Sequence, residues 1–327
     1  MGAMVAGATY ADTPGAGTQP ATVRGPDVPS AALGTSTPRT VADLLAIQQT
    51  VESVAKKVRV CTVALQIGHA QGSGVIISND GYILTAGHVV QKPGQHVIVT
   101  LADGRQLSGK TLGANTGIDS GLVKITEPGD WPHVEMGHSG DLTPGQFCLA
   151  MGHPNGYRRD RPPVLRLGRV IESSSRVIYT DCTLVAGDSG GPLFDLAGRV
   201  VGIHSRIGDA TFANLHVPVD TFRLSWERLA AGDVWGAPLP PGSPMLGVYT
   251  EDAPGGCLVH GLVKDSPAEK AGLHPGDMIL RFDGHSVDGV DTLTEQIGKH
   301  KAGDTVTVEL RRGEEILQFN VTLAKRG

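Results

Sequence analysis

The chain has 327 residues, a length that suits two domains with tails. A net charge of −5 without a basic stripe excludes a polyanion-binding surface, so nucleic acid is not an expected partner. No stretch reaches the ~18 apolar residues of a membrane-spanning helix. The N-terminus also lacks the charged and apolar regions of a signal peptide, which reads as a cytoplasmic chain or one whose export segment is missing.

Glycine, at 45 residues, is about twice as common as usual and aromatics make up only 4%, pointing to short strands, many turns and aliphatic cores. Cys61, Cys148, Cys182 and Cys257 are too few and scattered for a disulfide framework and include no CxxC pair. The 12 histidines have no ligand spacing. Neither a metal nor a cofactor is expected.

In chain order, residues 1–39 are rich in Ala, Gly, Thr and Pro and read as a disordered arm. Thr40-Val41-Ala42-Asp43 resembles a capping box opening a helix. Along it Val41, Leu44, Leu45, Val51, Val54 and Val58 fall near one face. That face suits packing on the following domain or a subunit contact. From Val58 the pattern becomes short β runs, 60–67, 74–78, 82–85 and 97–101, with turns at Asn79-Asp80-Gly81 and Ala102-Asp103-Gly104. Runs near 146–154, 169–171, 177–181, 199–205 and 215–219 continue it, and a short helix is expected over 220–231. This repetition favours two β-barrels over βαβ units, in a mainly β fold. The basic loop 156–163 reads as solvated. Residues 235–244 form a Pro-rich linker that ends a first domain at 40–234. A small α+β domain follows at 245–327, with helices at 265–273 and 292–299.

Chemistry concentrates in Gly187-Asp188-Ser189-Gly190-Gly191-Pro192. Ser189 is a candidate nucleophile on a tight turn, and the N–H groups of Gly187 and Ser189 are candidate donors to an oxyanion. A serine needs a base and a carboxylate to orient it. His88, in Thr85-Ala86-Gly87-His88-Val89-Val90, and Asp119, in Asp119-Ser120-Gly121-Leu122-Val123, supply them from the first barrel. The order His, Asp, Ser is that of the chymotrypsin-like proteases. An esterase is excluded, because no Gly-x-Ser-x-Gly elbow precedes the acid and histidine. Cys182 either lines the pocket or packs in the core, the second being the plainer account.

The chain resembles the HtrA (Deg) family, a chymotrypsin-like protease followed by a PDZ domain, over about residues 58–325. The residues that carry the likeness are 71–77, Tyr82-Ile83-Leu84-Thr85, His88-Val89-Val90 and Ser189-Gly190-Gly191-Pro192-Leu193. In the second domain they are Leu246-Gly247-Val248, 266–273 and Pro275-Gly276-Asp277. Two departures stand out. Thr85-Ala86-Gly87-His88 replaces the usual Thr-Asn-x-His, and Leu184-Val185-Ala186-Gly187-Asp188 replaces Asn-Pro-Gly-Asn before the serine. In trypsin-like digestive enzymes an Asp at position 188 meets a newly cut N-terminus; here its partner is open.

The resemblance implies a serine endopeptidase acting on unfolded or damaged proteins outside the cytoplasm, periplasmic or otherwise extracytoplasmic. It also implies a homo-oligomer, with a trimer favoured. Peptide C-termini would bind the PDZ domain at Leu246, Gly247 and Val248. Thr183 and Leu184 would form the substrate pocket and Ser205 would bond the peptide backbone; without a carboxylate at Thr183, small or medium apolar side chains are expected rather than Lys or Arg. The alternative is a proteolytically inactive chaperone or peptide-binding protein on the same scaffold.

Overall fold

The computed structural model describes residues 38–208, 214–236 and 240–326. Most of the expected arm and residues 237–239 of the linker lie outside them. The capping box forms at the start of α1 (Val41–Arg59): the Asp43 N–H donates to the Thr40 hydroxyl at 3.1 Å and the Thr40 N–H to the Asp43 carboxylate at 2.9 Å. Val54 and Val58 bury themselves against the barrels, while Val41, Leu44 and Leu45 stay exposed. The helix therefore docks by its C-terminal half only.

The first barrel holds β1 (Thr62–Ile67), β2 (Ala70–Ile76), β3 (Tyr82–Ala86), the single turn α2 (Gly87–Val90), β4 (His96–Thr100), β5 (Gln106–Asn115) and β6 (Ser120–Ile125). Its strands run antiparallel in the order β5-β4-β1-β2-β3-β6, closed by β5 on β6. Inward residues such as Val63, Leu65, Ile76, Ile83, Val97 and Val123 fill it. The second barrel is β7 (Phe147–Gly152), β8 (Val164–Ser173), β9 (Ile178–Thr180), β10 (Pro192–Phe194), β11 (Val200–Arg206) and β12 (Asn214–Pro218), closed in the order β10-β11-β12-β9-β8-β7. A shared cluster welds the two: Val75, Leu84 and Leu122 of the first barrel pack with Met151, Phe194, Ile203 and Val217 of the second.

Three local expectations change. β8 is ten residues long, not three, because Arg166 and Gly168 interrupt the apolar signal ahead of 169–171 within a continuous ladder with β7. The expected helix over 220–231 is two, α3 (Val219–Leu224) and α4 (Trp226–Ala231), broken at Ser225. The Ser225 hydroxyl turns back to the Thr221 carbonyl at 2.6 Å, the local competition that unsettles helices at serine. Trp235, the first residue of the expected linker, instead lies in β13 (Val234–Trp235), parallel to β5, with the Arg228 guanidinium 4.1 Å over its ring.

The C-terminal domain comprises β14 (Pro244–Met245), β15 (Val248–Ala253), β16 (Gly256–Leu262), α5 (Pro267–Ala271), β17 (Met278–Phe282), β18 (His285–Ser286), α6 (Val290–Gly298), β19 (Thr305–Arg312), β20 (Glu315–Thr322) and β21 (Ala324–Lys325). Its sheet runs β15-β16-β17-β19-β20, with β18 on β17 and Pro244, the last expected linker residue, paired in β14 with β21. Leu246, Val259, Ile279, Phe282, Leu293 and Leu310 form its core. β15 ends the sheet, with α6 packed beside it.

Candidate active site

His88 sits in the one-turn α2 that leaves β3, half exposed toward the cleft between the barrels. Asp119 heads β6 in a left-handed conformation (φ 66°) that Asp tolerates in tight turns. That turn is fastened by Asn115, whose side-chain oxygen accepts the Gly117 N–H at 2.9 Å. The carboxylate of Asp119 lies 3.0 and 2.9 Å from His88 Nδ1 through its two oxygens, and it accepts the His88 backbone N–H at 2.8 Å. The Ser205 hydroxyl donates to Asp119 Oδ2 at 2.6 Å. Burial pushes the Asp119 carboxyl up, but the donors from His88 and Ser205 outweigh it and hold the group below the usual carboxylate range. An ionised Asp119 keeps the His88 proton on Nδ1 and leaves the Nε2 lone pair free to accept one.

Ser189 enters from the loop before β10. The Ser73 N–H of β2 donates to the Ser189 carbonyl at 2.8 Å. A Cβ on Gly190 would fall 2.1 Å from the Thr85 hydroxyl and 2.3 Å from the Ser73 carbonyl, so only glycine lets this turn press against β2 and β3. The Ser189 turn is thereby brought against the strand that leads into His88. No hydrogen bond joins the Ser189 hydroxyl to His88 among the described residues. Such contacts often close only once substrate is bound.

The carbonyls upstream of Ser189 decide whether an oxyanion hole exists. Ala186 O accepts the Asn155 N–H at 2.7 Å, and Gly187 O accepts the Ser73 hydroxyl at 2.8 Å. A trans peptide points its N–H opposite its carbonyl, so the Gly187 N–H faces away from Asn155. The N–H groups of Gly187 and Ser189 donate to no acceptor among the described residues. The same Ser73 hydroxyl accepts the His153 N–H at 2.9 Å, tying the loop to the turn after β7.

The segment before the nucleophile alternates, with Asp181, Thr183 and Val185 outward and Cys182 and Leu184 buried. Thr183 is thus exposed. Leu184 is not: it packs in the second barrel with Leu142, Cys148, Leu193 and Val201, which corrects the expectation that it lines the pocket. Cys182 lies in that core too, 3.8 Å from Cys148 between sulfurs. The Ser205 hydroxyl is committed to Asp119 rather than to a peptide backbone. Beside it, Ile118, Tyr179, Ser205, Arg206 and Leu215 line a cavity of about 130 Å³. Sequence reasoning missed Ser73, Asn155 and Arg166; the last pairs with Asp188, and its one signal in the sequence is a charge that interrupts an apolar strand.

Leu246 is buried and Gly247 lies with the Ser266 side chain behind it. The Leu246 and Gly247 carbonyls accept the Ala268 and Val263 N–H groups, while their own N–H groups bond to nothing among the described residues. At the other end of α6, Asp291 accepts the Trp235 Nε1–H at 3.2 Å and a hydrogen bond from the Asn115 side-chain amide. Arg176 reaches Asp252 at 3.2 Å and Asp291 at 3.6 Å. The PDZ-like domain is thus fastened to the residue that shapes the Asp119 turn. No cluster of potential metal ligands occurs among the described residues, and none of their helices is long and apolar enough to cross a membrane.

Residues 72–203 match the trypsin-like peptidase domain and residues 244–323 the PDZ domain. A probable periplasmic serine endoprotease, DegP-like, of Marinomonas sp. (strain MWYL1) is 38% identical over 277 residues, 78% of this chain and 57% of that protein. A protein of the same description from Halomonas elongata is 34% identical over 275 residues, 78% of this chain and 58% of the relative. The chain therefore spans little more than half the length of these relatives. Two solved structures share the fold. A serine endoprotease from Yersinia pestis has a TM-score of 0.51 at 23% identity, covering 89% of this chain and 100% of that one. The HtrA-type protease AlgW with decapeptide has a TM-score of 0.52 at 22% identity, covering 84% and 98%. With a trypsin-like peptidase domain ahead of a PDZ domain and DegP-like relatives across most of its length, the chain belongs to the HtrA/Deg family of serine proteases.

Proposed function

We propose that the chain is an endopeptidase that cleaves unfolded or damaged polypeptides through His88, Asp119 and Ser189, with the Gly187 and Ser189 N–H groups as the oxyanion hole. The observation that carries this reading is the Ala186 carbonyl turned to Asn155, which leaves the Gly187 N–H for substrate. His88 Nε2 takes the Ser189 hydroxyl proton as Oγ attacks the scissile carbonyl. The oxyanion gathers on the two N–H groups, a site where losing one donor typically costs ~10²–10³ in turnover. The imidazolium then protonates the leaving amine. Water, activated by the same nitrogen, releases the acyl group and restores the serine.

At the PDZ domain, a peptide C-terminus would extend the sheet along the free edge of β15, its carboxylate on the N–H groups of Leu246, Gly247 and Val248 and α6 as the other wall. The Asp291–Asn115 bond offers a route from that groove to the Asp119 turn. Thr183 at the pocket supports cleavage after small or medium apolar side chains rather than Lys or Arg. A periplasmic or other extracytoplasmic site of action rests on the names of the relatives, and a homo-oligomer, trimer favoured, on the family.

The unclosed Ser189–His88 contact favours a second reading, a protein resting in an inactive, chaperone-like state. A fluorescent unfolded protein incubated with wild type and Ser189→Ala, with and without C-terminal peptides, separates the two. Cleavage lost in the variant supports the protease. Suppressed aggregation by both forms without cleavage under any condition sinks it.

A further inference from the structure

Asp188 is the residue before the nucleophile, yet it is a carboxylate only 1% exposed. An unpaired charge there would be expelled toward water, carrying the oxyanion loop with it. One oxygen, Oδ2, accepts the Val185 N–H at 3.0 Å, and the Asp188 N–H returns to the Val185 carbonyl at 3.1 Å. The same Oδ2 lies 3.0 Å from Arg166 Nη2, whose side chain is 19% exposed. Arg166 sits on β8 opposite Ala150 of β7, so a ladder of the closed barrel fixes where its guanidinium stands. The carboxylate side of Asp188 also presses on Gly152, where a Cβ would fall 2.5 Å from Oδ1.

We propose that Arg166 is the positioning residue of the oxyanion loop: its charge holds the buried Asp188 inward and so keeps Ala186 O on Asn155 and the Gly187 N–H in the hole. The positive charge comes from a barrel strand of the same chain, so Asp188 needs no free α-amino group as its counter-ion. The geometry also explains why Arg166 breaks the apolar pattern of β8. Its partner lies under the active site rather than in solvent. Arg166 Nη1 and Asp188 Oδ1 are buried without a hydrogen-bond partner among the described residues, and removing the guanidinium leaves the Val185 N–H as the donor to Oδ2. Arg166 touches no reacting atom, and its removal acts on acylation rather than on substrate capture.

The inference rests on Ser189 being the nucleophile, and one experiment separates the two. Full-length wild type, Arg166→Met, Arg166→Lys, Asp188→Asn and the double variant R166M/D188N are labelled with a fluorophosphonate probe, and kcat and KM are measured on a cleaved peptide. Circular dichroism and a thermal melt report the folded fraction. Arg166→Met is expected to lose ~10²–10³ in labelling rate and kcat, the cost of one oxyanion donor, with KM little changed. Arg166→Lys should recover much of that loss. The double variant, with no buried charge, should label faster than either single variant. A folded Arg166→Met that labels at the wild-type rate overturns the proposal, as do losses that add in the double variant. If Arg166→Met fails to fold, Asp188→Asn and the double variant decide on the same criterion. A wild type that the probe never labels refutes the nucleophile instead.

Discussion

Replacing Ser205 by alanine tests how the Asp119 carboxylate, the proposed partner of His88, is held. The hydroxyl donates to Asp119 Oδ2 over 2.6 Å at a site where Asp119 is 8% exposed, so water does not readily take its place. A hydrogen bond to a charged group contributes ~1.5–3 kcal/mol. At ~1.4 kcal/mol per decade of rate this caps the loss at roughly 10–100-fold in kcat/KM. Asp119 is ionised before and during reaction, so the bond exists in both states and only its orienting share reaches the barrier. About tenfold, mostly in kcat, is therefore expected. Initial rates on a short fluorogenic peptide measure it, with Ser205→Thr restoring the hydroxyl. Wild-type kcat in folded Ser205→Ala would show that the two bonds to His88 alone fix the carboxylate.

Asp119→Asn should lower kcat by ~10⁴, because an amide placed against Nδ1 favours the tautomer whose Nε2 cannot accept the serine proton; a pH series on the purified variant checks it. Stability should fall in acid below the ordinary histidine range. Burial pushes His153 down to about 4 and His216 to about 3, and burial beside His216 lowers His204 as well. The unfolded chain binds these protons first, so stability is complete above about 6.5 and lost as pH drops toward the folded values. For His153 alone the span from 6.5 to about 4 is worth on the order of 3 kcal/mol at ~1.36 kcal/mol per pH unit, and denaturant melts between those limits read it. A melt midpoint flat over that range would refute neutral burial of these rings. Gly247→Ala should abolish peptide binding at the PDZ domain, since its Cβ would fall 2.3 Å from that of Ser266; calorimetric titration with a C-terminal peptide measures the loss, and retained affinity would move the groove elsewhere.

Much of this molecule was legible in the order of its residues. Alternating short apolar runs with glycine turns specify a pair of barrels, because a strand shows its burial with a period of two. The nucleophile turn, His88 and Asp119 are each marked by small neighbours at places where the backbone must turn sharply. The Thr40–Asp43 cap could be read because it is a bond across three residues. What only the tertiary structure decided are contacts between elements far apart in sequence. Leu184 and Thr183 are neighbours that differ in face, and the barrel wall alone says which one points in. Ser205 finds Asp119 across 86 residues and commits a hydroxyl expected on the peptide side. Arg166 looks like a break in a strand until folding sets Asp188 beside it, since a buried charge is defined by its partner and not by its neighbours in sequence.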